Sequence, residues 1–226
     1  MDNVKYSDKY HLSKDQNRRF TRMNFTKLVH TNARFEGINT TLPQTQTILD
    51  GFGVDGVKIE DIDTIIQIKR GWQLVTESDE ALSLEFEKKV NAIVAKNNAL
   101  VPGEFRSGQG GFNIGSDEDF IPDTVNTSEE KKYLKSLLES DLSITEKSMR
   151  IMYHNMRGQL FWDGNKCTAT LIANKLMIDN GAGLINVPLN LWSQWNKLIS
   201  EYYRTNQMNP ILDWTYSNAI QGVNLN

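Results

Sequence analysis

The sequence has 226 residues, of which 39% are hydrophobic and 23% are charged, as in ordinary globular domains. It contains no run of about 18 apolar residues, which excludes a membrane-spanning helix. The net charge of −3 argues against a nucleic-acid binder, because phosphate neutralisation requires a clustered basic surface. The polar N-terminus has no secretory signal and the single Cys167 cannot form an internal disulfide, so we expect a cytoplasmic protein.

Apolar periodicity and helix-breaking residues predict a mostly helical chain that forms one domain, 1–226. Residues Val101 to Asp123 differ, because glycine and proline are frequent there and Phe105, Phe112 and Ile114 alternate with polar neighbours. This stretch predicts a small β-hairpin. The predicted helices cover, in chain order, 18–36, 41–49, 59–75, 79–95, a segment from 128, a segment from about 145 to 158, a buried helix from 169 to about 180, and 191–203.

The segment Asp163-Gly164-Asn165-Lys166-Cys167-Thr168 directly precedes the predicted buried helix. Backbone N–H groups at a helix N-terminus lack partners within the helix, so such a position attracts anions. Gly164 allows close approach of a ligand, Lys166 adds positive charge, and Asp163 could hold a divalent ion against a phosphate. The alternative is a simple Asp-Gly turn with Thr168 as an ordinary helix N-cap.

The residues Gln159 to Thr170 resemble the signature of the Fic family, H-P-F-x-[DE]-G-N-G-R-x-x-R, at the phenylalanine, aspartate, glycine and asparagine positions. Lys166 resembles the Doc-toxin branch, in which N-K-R replaces N-G-R. Further upstream, Asn32 to Gly37 resembles the family's inhibitory-helix motif [ST]-x-x-x-E-[GN]. Residues 101–123 resemble the hairpin flap that aligns the target segment, with Arg106, Phe112 and Ile114 as its candidate residues.

The resemblance implies an all-α, Fic-type helical bundle with a small β-hairpin flap, an inhibitory-helix-like region in 1–50, and a core in 128–190 with the motif loop at 159–168. It implies protein adenylyltransferase activity, in which AMP passes from ATP to a protein hydroxyl. Asp163 would bind Mg²⁺. Glu36 and Gly37 would form the inhibitory element, and the nucleotide phosphates would lie at Gly164, Asn165, Lys166 and Cys167. The implied partner is a protein target, and self-association into a homo-oligomer stays open.

Five positions depart from the family signature, namely Gln159, Leu160, Lys166, Cys167 and Thr170, and three of them replace the family's base and its two arginines. Gln159 occupies the position of the catalytic histidine, and a glutamine amide cannot carry a proton away at neutral pH. Cys167 and Thr170 replace both motif arginines, so two guanidinium contacts to phosphate are missing. We therefore expect AMP transfer to be weakened. Phosphoryl transfer of the Doc type and a non-catalytic protein-interaction module are the alternatives.

Other residues could compensate for these losses. His154 is a candidate substitute base, although five helical residues separate it from Gln159. Arg106, Arg157 and Lys166 could supply phosphate contacts, although a solvated surface charge is the simpler interpretation of each. Without an arginine at 170, Glu36 could pair with Lys166 or simply end a helix with Gly37. Cys167 could be a buried small residue or a reactive thiol.

Overall fold

The fold is that of a helical bundle, which confirms the predicted all-α class. The computed structural model describes residues 5–108, 112–113 and 119–225. Within them, the helices are α1 (Lys14–Met23), α2 (Phe25–Phe35), α3 (Leu42–Leu49), α4 (Ile59–Glu77), α5 (Leu84–Val94), α6 (Thr127–Glu139), α7 (Ile144–Gly158), α8 (Asn165–Asp179), α9 (Trp192–Thr205) and α10 (Asn209–Asn218), with a short 3₁₀ helix at Leu189–Leu191.

Helix α8 is the central helix of the bundle, as its nearly continuous apolar sequence predicts. It packs most extensively against α7 and also contacts α2, α4 and α5. Even Lys175 is fully buried on α8, where its ammonium group pairs with Asp179 at 2.7 Å and donates to the Ser78 carbonyl at 2.7 Å. The site at the N-terminus of α8 is therefore built on the most deeply packed element.

Two pairs of very short strands complete the fold. Strand β1 (Phe112–Asn113) pairs antiparallel with β2 (Asp119–Phe120), so the described part of the predicted flap does contain hairpin-type pairing. Ile114 lies outside the described residues. Strands β3 (Leu184–Ile185) and β4 (Ile220–Gln221) also pair antiparallel, and this second pair was not predicted because two residues are too few to show alternation.

Three predicted boundaries were wrong. The helix expected over 18–36 is divided at Asn24, whose amide donates to the Phe20 carbonyl and so competes with helix continuation. Helix α5 begins at Leu84, because the Ser83 hydroxyl caps it by accepting from the Phe86 N–H at 3.1 Å. Helix α8 begins at Asn165, four residues earlier than predicted, so the second half of the motif loop is helical.

The helix predicted over 41–49 is confirmed as α3. The Thr41 hydroxyl accepts from the Gln44 N–H, and the Gln44 side chain accepts from the Thr41 N–H, which is a complete capping box.

Across the described ranges, no helix combines the length and hydrophobicity that crossing a membrane requires.

Candidate functional site

The N-terminus of α8 presents backbone donors that have no protein partner. The first i to i−4 hydrogen bond of the helix runs from the Thr168 N–H to the Gly164 carbonyl at 2.8 Å. Within the described part of the chain, the N–H groups of Asn165, Lys166 and Cys167 have no acceptor, and no side chain caps the helix. Thr168 lies inside α8, so the alternative that made it the N-cap was wrong. The arrangement can bind an anion.

Gly164 has a conformation that requires glycine. Its φ is 68°, in the left-handed region, and a Cβ atom there would lie 3.0 Å from the Cβ of Ala95. The turn into α8 therefore packs directly against the C-terminal end of α5.

The Asn165 side chain holds the loop in a closed shape. Its Oδ1 accepts from the Phe161 N–H at 2.8 Å, and its Nδ2 donates to the Phe161 carbonyl at 2.9 Å. Both side-chain groups are thus engaged by the loop itself, and the side chain is buried. Only the backbone N–H of Asn165 remains available for a phosphate.

Asp163 is fixed from two directions. Its Oδ1 accepts from the Gly164 N–H at 2.7 Å, while its backbone carbonyl accepts from the Asn91 Nδ2 of α5 at 2.9 Å. The same Asn91 side chain contacts Thr168 Oγ1 at 3.1 Å and accepts from the Gly103 N–H at 2.9 Å. Asn91 therefore joins the loop, the first turn of α8 and the base of the flap.

Sequence reasoning did not identify Asn91. A signal was present, since Asn91 lies beside Val90 and Val94 on the apolar face of a predicted helix, and it is fully buried. A buried amide needs hydrogen-bond partners, so a lone asparagine on such a face indicates a structural connection.

Gln159 forms the C-terminal cap of α7 in the left-handed conformation, with φ 46° and ψ 57°. A non-glycine residue rarely adopts it. The side-chain Nε2 donates to the Met156 carbonyl at 2.6 Å and lies 3.4 Å from the Tyr203 hydroxyl. The amide is therefore held by its own helix end, and it is buried.

The C-terminal end of α2 lies against the N-terminus of α8. Gly37, with φ 76°, ends α2 in a Schellman motif in which the Ile38 N–H donates to Ala33 and the Gly37 N–H donates to Arg34. The pKa of Glu36 is raised to about 7, chiefly by burial and secondarily by the negative charge of Asp163, while Lys166 opposes the shift. The carboxyl of Glu36 therefore shares the electrostatic environment of the loop.

Lys166 and Cys167 differ in what they offer a ligand. Lys166 is half-buried, burial lowers its pKa, and it forms no ion pair within 4.0 Å with any described carboxylate, Glu36 included. The Cys167 thiol points away and accepts from the Asn32 Nδ2 of α2 at 3.3 Å. Burial raises the pKa of this thiol above its usual range, which contradicts the reactive-thiol alternative. Cys167 can therefore contribute its backbone N–H to a phosphate site, but not its side chain.

Arg106 is a buried clamp at the base of the flap, so its interpretation as a solvated charge was wrong. It is 2% exposed. Its guanidinium donates to the carbonyls of Gln159, Gly158 at 3.1 Å, Gly108 at 2.9 Å and Asp123. A backbone bridge between Phe105 and Phe161 runs alongside. Arg106 thus fixes the flap to the motif loop and has no free donor pair for a phosphate.

The other candidate substitutes also have structural roles. The Nε2–H of His154 donates to Glu130 of α6 at 2.7 Å, and its ring stacks on Tyr133. Arg157 donates to the Tyr203 carbonyl at 3.2 Å, with its guanidinium over the Phe120 ring of β2. Among the described residues, neither His154 nor Arg157 contacts the α8 N-terminus, so neither stands in for the residues that the family signature has at positions 159, 167 and 170.

No sequence profile of a known protein family matches the chain, and no curated protein sequence matches it. Solved structures do. Residues 134–508 of Fic-1 from C. elegans superpose with a TM-score of 0.75 at 18% identity, over 90% of this chain and 62% of that one. A Fic domain containing signaling protein from Bacteroides thetaiotaomicron gives 0.73 at 16% identity, over 92% and 87%.

A Fic family protein from Desulfovibrio desulfuricans gives a TM-score of 0.73 at 14% identity, over 88% of this chain and 63% of that one. The chain therefore spans less than two thirds of the worm and Desulfovibrio proteins. At these identities the likeness concerns the fold, and each match covers nearly all of the present chain. The chain has the fold of the Fic-domain proteins.

Proposed function

We propose that this protein binds the Mg²⁺ complex of a nucleotide, with ATP as the expected ligand, through the N-terminus of α8. The observation that carries the proposal is the uncapped first turn of α8, where the N–H groups of Asn165, Lys166 and Cys167 have no acceptor among the described residues. The unpaired ammonium group of Lys166 adds positive charge at that turn. Helix N-termini with such donors are favourable phosphate sites.

Asp163 is the residue that would hold Mg²⁺. Its Oδ1 is fixed by the Gly164 N–H, which orients the carboxylate, and its backbone is fixed by Asn91. The described residues contain no cluster of three or more acidic, histidine or cysteine ligands. Mg²⁺ is commonly held by one or two carboxylates together with waters and substrate phosphates, so the proposal asks for only one carboxylate from the protein. The bound ion would neutralise phosphate charge.

The same geometry supports weak transfer chemistry. The Gln159 amide donates to the Met156 carbonyl and has no group that can accept a proton from a hydroxyl. Loss of a general base typically costs about 10²- to 10⁴-fold in rate. Thr170 is also neutral, and its hydroxyl donates to the Lys166 carbonyl at 2.9 Å. We infer a protein of the adenylyltransferase type that retains nucleotide binding, while its transfer of AMP to protein hydroxyls is weak.

Glu36 supports an inhibitory role for the end of α2. Its carboxyl lies in the field of Asp163 and Lys166, so a charged Glu36 would repel nucleotide phosphates at the α8 N-terminus. In this chain Lys166 provides the opposing charge that a motif arginine provides in the family.

The binding test is calorimetric titration of the full chain with ATP and ADP, with and without Mg²⁺. We expect heat with both nucleotides, stronger with Mg²⁺. Lys166→Gln should weaken binding about tenfold, because it removes a charged contact to phosphate. The control is Lys132→Gln, at an exposed position of α6, which should have no effect. Absence of heat with every nucleotide would refute the proposal and would favour a protein-interaction module.

The transfer test uses ATP labelled at the α- or the γ-phosphate, with cell lysate as a source of protein targets. Gln159→His should increase α-label transfer at least tenfold, because it restores a base at the same position. Lys166 resembles the Doc branch, and transfer of γ-label by the unaltered protein would favour phosphoryl transfer instead. If Gln159→His binds nucleotide and yet transfers neither label, the site is a binding site alone.

A further inference from the structure

A small cleft lies beside the C-terminal half of α2, where that helix meets the residues that lead into α9. Its volume is about 240 Å³. The lining residues come from α2, the loop after it, the 3₁₀ helix and α9, namely His30, Arg34, Asn39, Thr40, Leu189 and Trp192. None of the motif-loop residues, 159–168, lines the cleft, so it is separate from the site at α8.

The residues that line this cleft include two basic side chains, His30 and Arg34, and no carboxylate. His30 and Arg34 lie one helical turn apart, on the same face of α2. The Nε2–H of His30 donates to the Thr40 carbonyl at 2.7 Å, which fixes the ring. Within residues 5–108, 112–113 and 119–225, Arg34 pairs with no carboxylate. Its half-buried guanidinium donates no hydrogen bond to any residue that the structure describes, so it is suited to bind a carboxylate or phosphate.

The remaining wall of the cleft is apolar and aromatic. Trp192 packs against Phe35 with ring centroids 5.2 Å apart, and Trp195 lies 5.3 Å from Trp192. The indole of Trp192 is therefore held in place by its neighbours while it remains half-buried at the cleft. Leu189 adds an aliphatic surface beside it. A cleft lined by both a fixed aromatic ring and an arginine is suited to a ligand that has both a ring and an anionic group.

We propose that the cleft between α2 and Trp192 binds a small aromatic anion, whose carboxylate or phosphate pairs with Arg34 and whose ring packs on Trp192. The proposal does not depend on nucleotide binding at α8. Arg34 precedes Glu36 by two residues, so the ligand would contact the last turn of α2, the same turn that presents Glu36 to the motif loop.

The test uses calorimetric titration of the full chain with phenyl phosphate and with benzoate, which separate phosphate from carboxylate, and with benzyl alcohol as a neutral ring. We expect binding of at least one of the two anions and none of benzyl alcohol. Arg34→Gln should weaken that binding at least tenfold, because a charge-assisted hydrogen bond is lost. Arg34→Lys should retain part of it. Arg19→Gln, an exposed arginine on α1, is the matched control and should change nothing.

Two further measurements identify the binding site. Trp192→Leu should abolish the preference for phenyl phosphate over inorganic phosphate, because the aromatic wall is removed. Lys166→Gln should leave binding of the probe unchanged, whereas an equal loss with Lys166→Gln would place the probe at α8 and overturn the proposal. Failure of both anions to bind, or an unaltered affinity in folded Arg34→Gln, would overturn it as well. Far-ultraviolet circular dichroism of each variant confirms folding.

Discussion

Asn165 and Phe161 form a closed pair of hydrogen bonds, in which the side-chain amide of one both donates to and accepts from the backbone of the other. The pair spans the turn between α7 and α8 and satisfies two buried backbone groups. The shape of the turn before α8 thus depends on a side chain that the sequence alone indicated as a phosphate ligand.

Replacing Asn165 should therefore lower the stability of the fold, whether or not a ligand is bound. We expect Asn165→Ala to lower the free energy of unfolding by about 2 kcal/mol, because the Phe161 N–H and carbonyl are left buried without partners. Urea unfolding measures this change. Asn218→Ala, an exposed asparagine on α10, should cost less than about 0.5 kcal/mol. Equal losses of stability in the two variants would contradict this structural role of the Asn165 side chain.

Arg106 should be essential for attaching the flap to the motif loop. We expect Arg106→Met to cost on the order of 3 kcal/mol, because several carbonyl groups lose a buried charged donor. Limited proteolysis should then cut within 101–123 faster than in the unaltered protein. The exposed Arg19→Met serves as control, and an unchanged cleavage rate for Arg106→Met would show that the bridge at Phe105 suffices.

Glu87 on α5 should make stability depend on pH. The carboxyl is 1% exposed, accepts from the Asn155 Nδ2 at 2.9 Å and faces Glu130. Burial, and secondarily the charge of Glu130, raise the pKa of Glu87 from 4.5 to about 8. Between these values the folded protein binds more protons than the unfolded chain, so stability falls as the pH rises from about 4.5 to 8.

Glu87→Gln should remove this loss, because the amide stays neutral and can still accept from Asn155. We expect the variant to be more stable than the unaltered protein above pH 8, by roughly 3 kcal/mol. Urea unfolding at pH 5, 7 and 9 measures the difference, and it should grow with pH. Glu85→Gln, exposed on the same helix, should show no such trend. A constant difference across the three pH values would refute a neutral buried Glu87.

Glu36 should make nucleotide binding depend on pH, provided that phosphates bind at α8. Its pKa of about 7 means that the carboxyl is neutral below pH 7 and charged above it. A charged carboxyl repels phosphate, so affinity for ADP should fall about tenfold between pH 6 and 8. In Glu36→Gln the fall should be smaller and the affinity at pH 8 higher. Parallel pH profiles for the two proteins would exclude Glu36 as the titrating group.

Local signals made much of the fold predictable. The Thr41 and Gln44 capping box, the Gly37 helix end and the apolar sequence of α8 each act over a few residues, so they appear in the sequence as spacing and composition. Two of the wrongly predicted helix boundaries are ones that a single polar side chain decides, at Asn24 and at Ser83.

The sequence by itself determined the helical class, the donor-rich helix N-terminus at Gly164 and the presence at position 159 of a glutamine, whose amide cannot accept a proton at neutral pH. Only the tertiary structure decided which groups remain free for a ligand. Asn165 and Arg106 carry polar groups that could bind phosphate, and packing commits them to backbone partners. The physical reason is that a buried polar group must be satisfied by whatever neighbour the fold supplies, and those neighbours are distant in sequence.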